Sequence, residues 1–373
     1  MPSPFAAHLG LALPIIQGPM TGSDTPALAA AVSQAGGLGM LGCGMRSPTA
    51  MTEAAAEVRR RTDQPFGMNL FVQTTPTPDE ATVQAALQRL APFYAEFGLA
   101  PQRPAQWCED FGAQFDALVA ARPAVASFTF GILSAAQVAR LHAVGCCVIG
   151  TATTVAEARA WAAVGADAIC ASGMEAGGHR GTFLSPGQET PPSGGPSVDD
   201  FEASMVGTLT LVRQCVEALP STPIIAAGGI MDGRGIAGAL ALGAQAVQMG
   251  TAFLTCPESA IGTAYRAALT QAGPTDTRTT RVFSGRPARG IVNPMMNALR
   301  ADERAVPPYP IQNALTGALR RASAEAGRAD HLSLWAGQGV AAVRPMPAAD
   351  LVTTLAAEWR SAMAAVAAQA DAA

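Results

Sequence analysis

Short apolar runs recur along this chain, each closed by glycine or a lone polar residue and followed by a stretch with helical spacing. Apolar runs without polar alternation mark strands buried on both faces, as in parallel sheets. Residues 14–20 read as a first strand and its exit. Thr25-Pro26 then starts an alanine-rich helix to about Ala35, since proline suits the first helical turn. Residues 37–42 make a second strand, and Ser47-Pro48 caps a helix to about Thr62. Residues 66–72 make a third strand, with Asn69 its single polar interruption. Residues 78–122 read as a helical insertion that packs over the main body.

The alternation then tightens. Strands are expected at 124–131, 147–152, 168–173, 223–229 and 246–253. Helices are expected between them at 135–144, 155–164, 202–219 and 235–242, the third after a Pro/Gly/Ser loop. Eight strands, each with a helix behind it, predict an α/β fold, a (β/α)8 TIM barrel. The rival is an open doubly wound sheet, but no early G-x-G-x-x-G follows a strand. The expected division is a barrel over residues 1–256, with an insertion at about 73–122. A C-terminal extension over 257–373 packs on the barrel and its mouth, with helices near 311–326 and 348–367.

Composition narrows the class. The chain has 373 residues, 49% of them hydrophobic, which is ample for a large core. A barrel takes roughly 250 residues, which leaves room for the insertion and extension. The net charge is −4 and no basic run exists, so nucleic acid and anionic membrane are not expected partners. Apolar runs are broken well before about 18 residues, so no membrane span is expected. The start, Met1-Pro2-Ser3-Pro4-Phe5, lacks a basic region before an apolar core, so no signal peptide is expected. Seven scattered cysteines without CxxC pairs fit reduced thiols and a cytoplasmic location. Cys146-Cys147 reads as core. No metal site is expected.

Chemistry concentrates in Gly173-Met174-Glu175-Ala176-Gly177-Gly178-His179-Arg180-Gly181, where the sixth strand ends. An acid, an imidazole and a guanidinium lie within six residues of one glycine-rich turn. In such barrels the strand ends carry the active site. The plainer reading is a tight turn with a solvated histidine. Strand seven ends in Gly228-Gly229 and strand eight in Met249-Gly250-Thr251. Bare glycine turns there expose N–H groups to a phosphate, with the Thr251 hydroxyl beside them; alternatively, they allow close helix packing. Asn69 and Gln248 are amides at strand ends, suited to the alternating donor and acceptor edge of a heterocycle. Asn69 has the alternative of bonding to its own loops.

Together these pieces resemble the nitronate monooxygenase family, formerly called 2-nitropropane dioxygenases, which are FMN-dependent barrels. The matching segments are Gln17-Gly18-Pro19-Met20, Met68-Asn69-Leu70-Phe71, the His179 turn, Ala227-Gly228-Gly229-Ile230, Gln248-Met249-Gly250-Thr251 and Trp335-Ala336-Gly337-Gln338-Gly339. FMN-dependent enoyl-acyl-carrier reductases share a similar turn. The resemblance implies FMN contacts at Met20, Asn69, Ser172, Gly177, Gly178, Gly228, Gly229, Gln248, Met249, Gly250 and Thr251, and His179 as catalytic base. It implies a substrate pocket with Thr129, Tyr309, Asn313 and Gln338. The chain departs from the family at Ser172, where Gln is frequent, and at Thr129, where a second His occurs. It also has Asn313 and Gly317 where some members carry Tyr and Lys.

The reaction implied is oxidation of alkyl nitronates, and of nitroalkanes after loss of the α-proton, by FMN and O2. The products are a carbonyl compound and nitrite, and no reduced nicotinamide is used. His179 is expected to serve near its ordinary pKa of about 6.5, with Glu175 orienting the turn and Arg180 bonded to backbone or a loop carboxylate. Alternation in the strand 127–131 predicts that Ser127, Thr129 and Gly131 face the interior while Phe128 and Phe130 face the helices. Two other readings remain: an FMN-dependent NAD(P)H reductase of a quinone or enoyl thioester, and a sensor of a phosphorylated ligand. The oligomeric state is not legible.

Overall fold

The computed structural model describes residues 3–192 and 195–371. Met1-Pro2 of the expected leader-free start, and Ser193-Gly194 of the loop after strand six, lie outside them.

A short helix, α1 (Pro4–His8), precedes the first strand, β1 (Ile15–Gln17). There follow α2 (Pro26–Gln34), β2 (Gly39–Gly42), α3 (Pro48–Arg61) and β3 (Phe66–Phe71). Thr25 and Ser47 cap α2 and α3, each accepting from the N–H three residues on, with proline in the first turn. Two helices fill the next stretch, α4 (Glu80–Ala95) and α5 (Phe111–Ala121). The regular alternation continues with β4 (Val125–Thr129), α6 (Ala135–His142), β5 (Cys147–Ala152), α7 (Val155–Ala163) and β6 (Ala168–Ser172). A two-residue strand, β7 (Gly178–His179), precedes α8 (Val198–Ala203) and α9 (Thr208–Ala218). The last barrel strands are β8 (Ile224–Ala227) and β9 (Ala246–Met249), with α10 (Gly233–Ala241) between them.

Eight parallel strands run in the order β1-β9-β8-β6-β5-β4-β3-β2. Gln17 N–H donates to the Leu38 carbonyl and Leu38 N–H to the Ile15 carbonyl, both at 2.9 Å, which ties β1 to β2 and closes the barrel. Side chains from alternate positions fill its interior, including Ile16, Met40, Val125, Ile149, Cys170 and Ile225. The opposite set, with Phe128 and the fully buried Trp161, packs on the helices. The barrel expectation therefore holds in strand number, order and direction.

The differences lie in the helices. α5 packs on α3 and β3 and is the barrel's own third helix. α4 alone leaves the ring, burying Ala86, Leu90 and Tyr94 against Val282, Phe283 and Met295. The single helix expected at 202–219 is two, α8 and α9. Backbone between them is recruited elsewhere: Met174 N–H donates to the Val206 carbonyl at 2.8 Å, and Arg180 takes the Ser204 carbonyl at 2.7 Å. Strand eight stops at Met249, and α11 (Thr251–Leu254) begins where a longer strand was expected.

After α11 the chain leaves the barrel. It forms α12 (Thr263–Gln271), the antiparallel pair β10 (Thr277–Thr280) and β11 (Ala288–Ile291), α13 (Pro294–Ala298), α14 (Ile311–Leu315) and α15 (Gly317–Glu325). β11 also pairs with β7, setting Ala288 opposite His179. The chain then returns as α16 (Ala348–Asp371), which packs between α10 and α2. Ala348, Leu351, Val352 and Leu355 are buried there, and Glu358 accepts the Gly233 N–H at 3.0 Å. α16 thus occupies the place of the eighth barrel helix, and the excursion between α11 and α16 is an insertion inside the barrel's last unit. No helix among the described residues is long and apolar enough to cross a membrane.

Candidate active site

β6 ends at Ser172, and the turn beyond it is held from three sides. Glu175 accepts from the Thr208 N–H at 2.9 Å and from its hydroxyl at 2.8 Å. Arg180 is buried and donates to the carbonyls of Ser172 and Ser204. Both residues therefore orient the turn, as the sequence suggested. Gly177 is required by close approach: a Cβ there would stand 2.5 Å from the Gly337 nitrogen. The matching segment around Trp335 is thus folded against the turn.

His179 sits in a ring of aromatic side chains. Its ring centroid is 5.3 Å from those of Phe130 and Trp335, 5.7 Å from Tyr309 and 6.4 Å from Phe71. Phe71 and Phe130 stack at 4.3 Å, an arrangement worth about 0.5–1.5 kcal/mol beyond the area it buries. His179 Nε2 lies 2.8 Å from Ser284 Oγ. Arg286 covers the Phe130 face at 4.1 Å and donates through Nε to the Arg180 carbonyl at 2.8 Å. Burial first, then the charges of Arg286 and Arg320, push the His179 pKa down to about 3. The imidazole is therefore neutral across the physiological range. The expectation of titration near 6.5 is corrected: the histidine is half-buried among aromatic rings rather than freely solvated, and two cations stand near it.

Phe130 corrects a second expectation. Its φ of +78° turns the chain out of strand geometry just after β4, so alternation fails there and its ring enters the mouth rather than the helix layer. A bulky residue in this region costs about 1–3 kcal/mol, a strain characteristic of functional sites. Phe128 does face the helices, as expected. Thr129 is half-buried and packs at Gly181 and Thr151: its Oγ1 would lie 2.9 Å from a Cβ on Gly181. It is not part of the ring about His179.

The other expected residues separate into two groups. Tyr309 belongs with His179. Asn313 lies four residues further on and accepts from Arg320 through its carbonyl and Oδ1, at 2.9 and 3.0 Å. A side chain at Gly317 would meet nothing within 4 Å. Gln338 instead lines a pocket of about 370 Å3 with Glu175, Thr208, Gly228, Gly229 and Ile230, away from the aromatic ring. Met20 lies beside Gly250, its Sδ 3.8 Å from where a Cβ there would be. Met249 is buried in the outer core, so only its backbone faces the strand ends.

The glycine turns have donors to spare. Gly229 has φ +72°, and no acceptor among the described residues meets the N–H of Gly229 or of Gly250. Thr251 Oγ1 accepts from Gly337 N–H at 2.9 Å, which leaves its own proton to donate. Asn69 Nδ2 donates to Ser127 Oγ at 2.9 Å, and its Oδ1 has no hydrogen bond among the described residues. The Gln248 amide has none either. Unspent donors and acceptors at the ends of β3, β8 and β9 could hold a phosphorylated heterocycle. No cluster of three or more histidine, cysteine or acidic side chains among the described residues is placed to hold a metal.

Ser284, Arg286 and Arg320 were not singled out in the sequence. They lie in the excursion between α11 and α16; Arg320 falls in the helix expected near 311–326, but nothing in the sequence sets any of the three beside His179. The only available signal was their charge and hydroxyl chemistry in an otherwise weakly charged chain.

Comparison with known proteins gives a consistent picture. The family model described as nitronate monooxygenase matches residues 3–358. A nitronate monooxygenase of Pseudomonas aeruginosa is 45% identical over 364 residues, covering 95% of this chain and 99% of the relative. One from Paraburkholderia phytofirmans is 41% identical over 360 residues, covering 94% and 93%. Among solved structures, nitroalkane oxidase from Streptomyces ansochromogenes superposes with a TM-score of 0.87 at 40% identity, covering 97% of this chain and 99% of that one. FabK from Thermotoga maritima superposes with a TM-score of 0.75 at 27% identity, covering 99% of each chain.

Proposed function

The chain belongs to the nitronate monooxygenase family, and from that premise we propose that it is an FMN-dependent oxidoreductase that oxidises alkyl nitronates with O2. The observation that carries the reading is a neutral, half-buried His179 near two cations, in an aromatic pocket at the barrel's strand ends. Such a pocket suits a small organic anion.

The residues fit FMN. The N–H groups of Gly229 and Gly250 and the Thr251 hydroxyl would hold its phosphate, with the Gly228 turn and Met20 beside them. Asn69 and Gln248 would meet the ring's polar edge. When bound, FMN supplies the one-electron chemistry between nitronate and O2.

The remaining work falls to this chain's own side chains. Phe71, Phe130, Tyr309 and Trp335 surround His179 with apolar surface and limit water beside it, which strengthens charge interactions there. The Ser284 hydroxyl has two acceptors in reach, His179 Nε2 at 2.8 Å and the Arg286 carbonyl at 3.1 Å. When it bonds the carbonyl, Nε2 carries the imidazole hydrogen and Nδ1 keeps a lone pair. In that tautomer His179 is the base for a neutral nitroalkane. A pKa of about 3 makes it a weak one, so a preformed nitronate is the better substrate. The two nearby cations favour the same anion.

The test is an absorption spectrum of the purified protein before and after anaerobic addition of ethyl nitronate. The expected result is a flavin spectrum that nitronate bleaches and NADPH leaves unchanged. A colourless protein, or bleaching by nicotinamide alone, overturns the reading.

A further inference from the structure

Arg320 lies on α15, one turn beyond Gly317, where the helix presents no side chain. Its guanidinium spends one nitrogen on Asn313, whose carbonyl and Oδ1 accept from it. Its Nε is buried with no hydrogen-bond partner. The other charged groups near it are few. Tyr309 and Tyr94 face it, and both are neutral phenols whose pKa burial raises. No carboxylate forms an ion pair with it among the described residues.

Arg286, the other cation near His179, is differently placed. Two of its nitrogens bond the carbonyls of Arg180 and Thr182. The rings of Phe130 and Phe201 flank its guanidinium, and the buried carboxylate of Glu157 acts on it. Arg286 is therefore committed to holding the His179 turn. Arg320 keeps unspent donors, its Nε among them buried, and an uncompensated charge on a half-buried side chain. A cation partly withdrawn from water without a partner is costly, and the cost falls when an anion arrives.

We propose that Arg320 binds the negative charge of the substrate and makes the pocket select the nitronate anion over the neutral nitroalkane. The assignment rests on the nitronate reading above. Asn313 is then a positioning residue: it holds Nη2 of the guanidinium and leaves Nη1 to donate. Nη1 keeps its donors, and a charge-assisted hydrogen bond from it to a nitronate oxygen needs only the positive charge and one N–H.

The test compares wild type, Arg320→Met and Arg320→Lys as purified holoproteins. Flavin content is read from absorbance, KM is measured for ethyl nitronate and for nitroethane, and nitrate is titrated as an inert anion against the fluorescence of Trp335. Charge-assisted hydrogen bonds contribute about 1.5–3 kcal/mol, so Arg320→Met should raise the nitronate KM and the nitrate Kd about 10–100-fold. The nitroethane KM should move less than about twofold, and Arg320→Lys should recover most of the loss, since the charge remains. Unchanged nitrate binding and nitronate KM in Arg320→Met, with flavin retained, overturn the proposal. So does loss of flavin with nitrate affinity intact, which would assign Arg320 to the cofactor. The nitrate titration needs no turnover. A failure of the nitronate reading would appear as absent bleaching, while Arg320 is still judged by nitrate.

Discussion

His179 Nε2 and Ser284 Oγ lie 2.8 Å apart although 105 residues separate them in sequence. The strand pairing that brings them together runs from β7 to β11, with Ala288 opposite His179. The imidazole is thus oriented by the excursion, not by the barrel that carries it. Removing the hydroxyl in Ser284→Ala should free the ring and unfix its tautomer. A net hydrogen bond is worth about 1 kcal/mol, so kcat on nitroethane should fall roughly fivefold with flavin content unchanged. An unaltered kcat would mean that the aromatic ring alone orients His179.

The depressed pKa of His179 has a signature in stability. In the unfolded chain this group titrates near its ordinary value of about 6.5, and in the folded protein near about 3. Between those values the unfolded state binds the extra proton. Stability is therefore intact above about pH 6.5 and falls as pH drops toward 3, with a limiting slope of about 1.4 kcal/mol per pH unit. Carboxylates titrate in the same window, so the measurement is a difference. Urea unfolding of wild type and His179→Asn between pH 7 and pH 4 should show the steeper decline in wild type. Parallel curves would place the native pKa near the ordinary one.

Much of this was legible in the sequence, and the reason is local. Strands such as residues 147–152 and 168–172 are continuous apolar runs. Caps such as Ser47 and Thr25 precede proline, so periodicity and turn chemistry suffice to find them. The His179 turn was visible because three functional groups fall within six residues. Arg320 and Ser284 were not visible, because their roles come from tertiary contacts across the excursion. Phe130 was misplaced for a related reason: alternation assumes a β backbone, and φ +78° breaks it. The helix at 348–367 was legible, but its place as the eighth barrel helix was not, because sequence order suggested that the eighth helix should follow β9 directly.

The two glycine turns give a third prediction. Gly229→Asp adds a carboxylate at the proposed phosphate position, next to Glu175, whose Cβ would lie 3.2 Å from the new Cβ. Gly229→Ala adds the same backbone strain at φ +72° without the charge. The expected outcome is flavin-free Asp variant and partly loaded Ala variant, both with native circular dichroism. Full flavin content in Gly229→Asp would remove this turn from the phosphate site.

A fourth prediction separates Phe130 from its neighbour. Phe130→Leu loses the stack on Phe71 and the edge contact to His179, so the KM for ethyl nitronate should rise severalfold, by about 1 kcal/mol of binding. Thr129→Val conserves volume at a side chain packed on Gly181 and should leave that KM unchanged. A larger effect at Thr129 than at Phe130 would return Thr129 to the pocket wall.

The position of α16 bears on how the protein is made. Synthesis delivers α2 early and α10 midway, yet the helix that fills the gap between them emerges only after the whole excursion has left the ribosome. Until then the nascent barrel has an open seam, with apolar surface on either side of it. Apolar surface exposed in a partly folded chain is prone to aggregate. In this chain the seam stays open until Leu351 and Leu355 of α16 arrive to cover it.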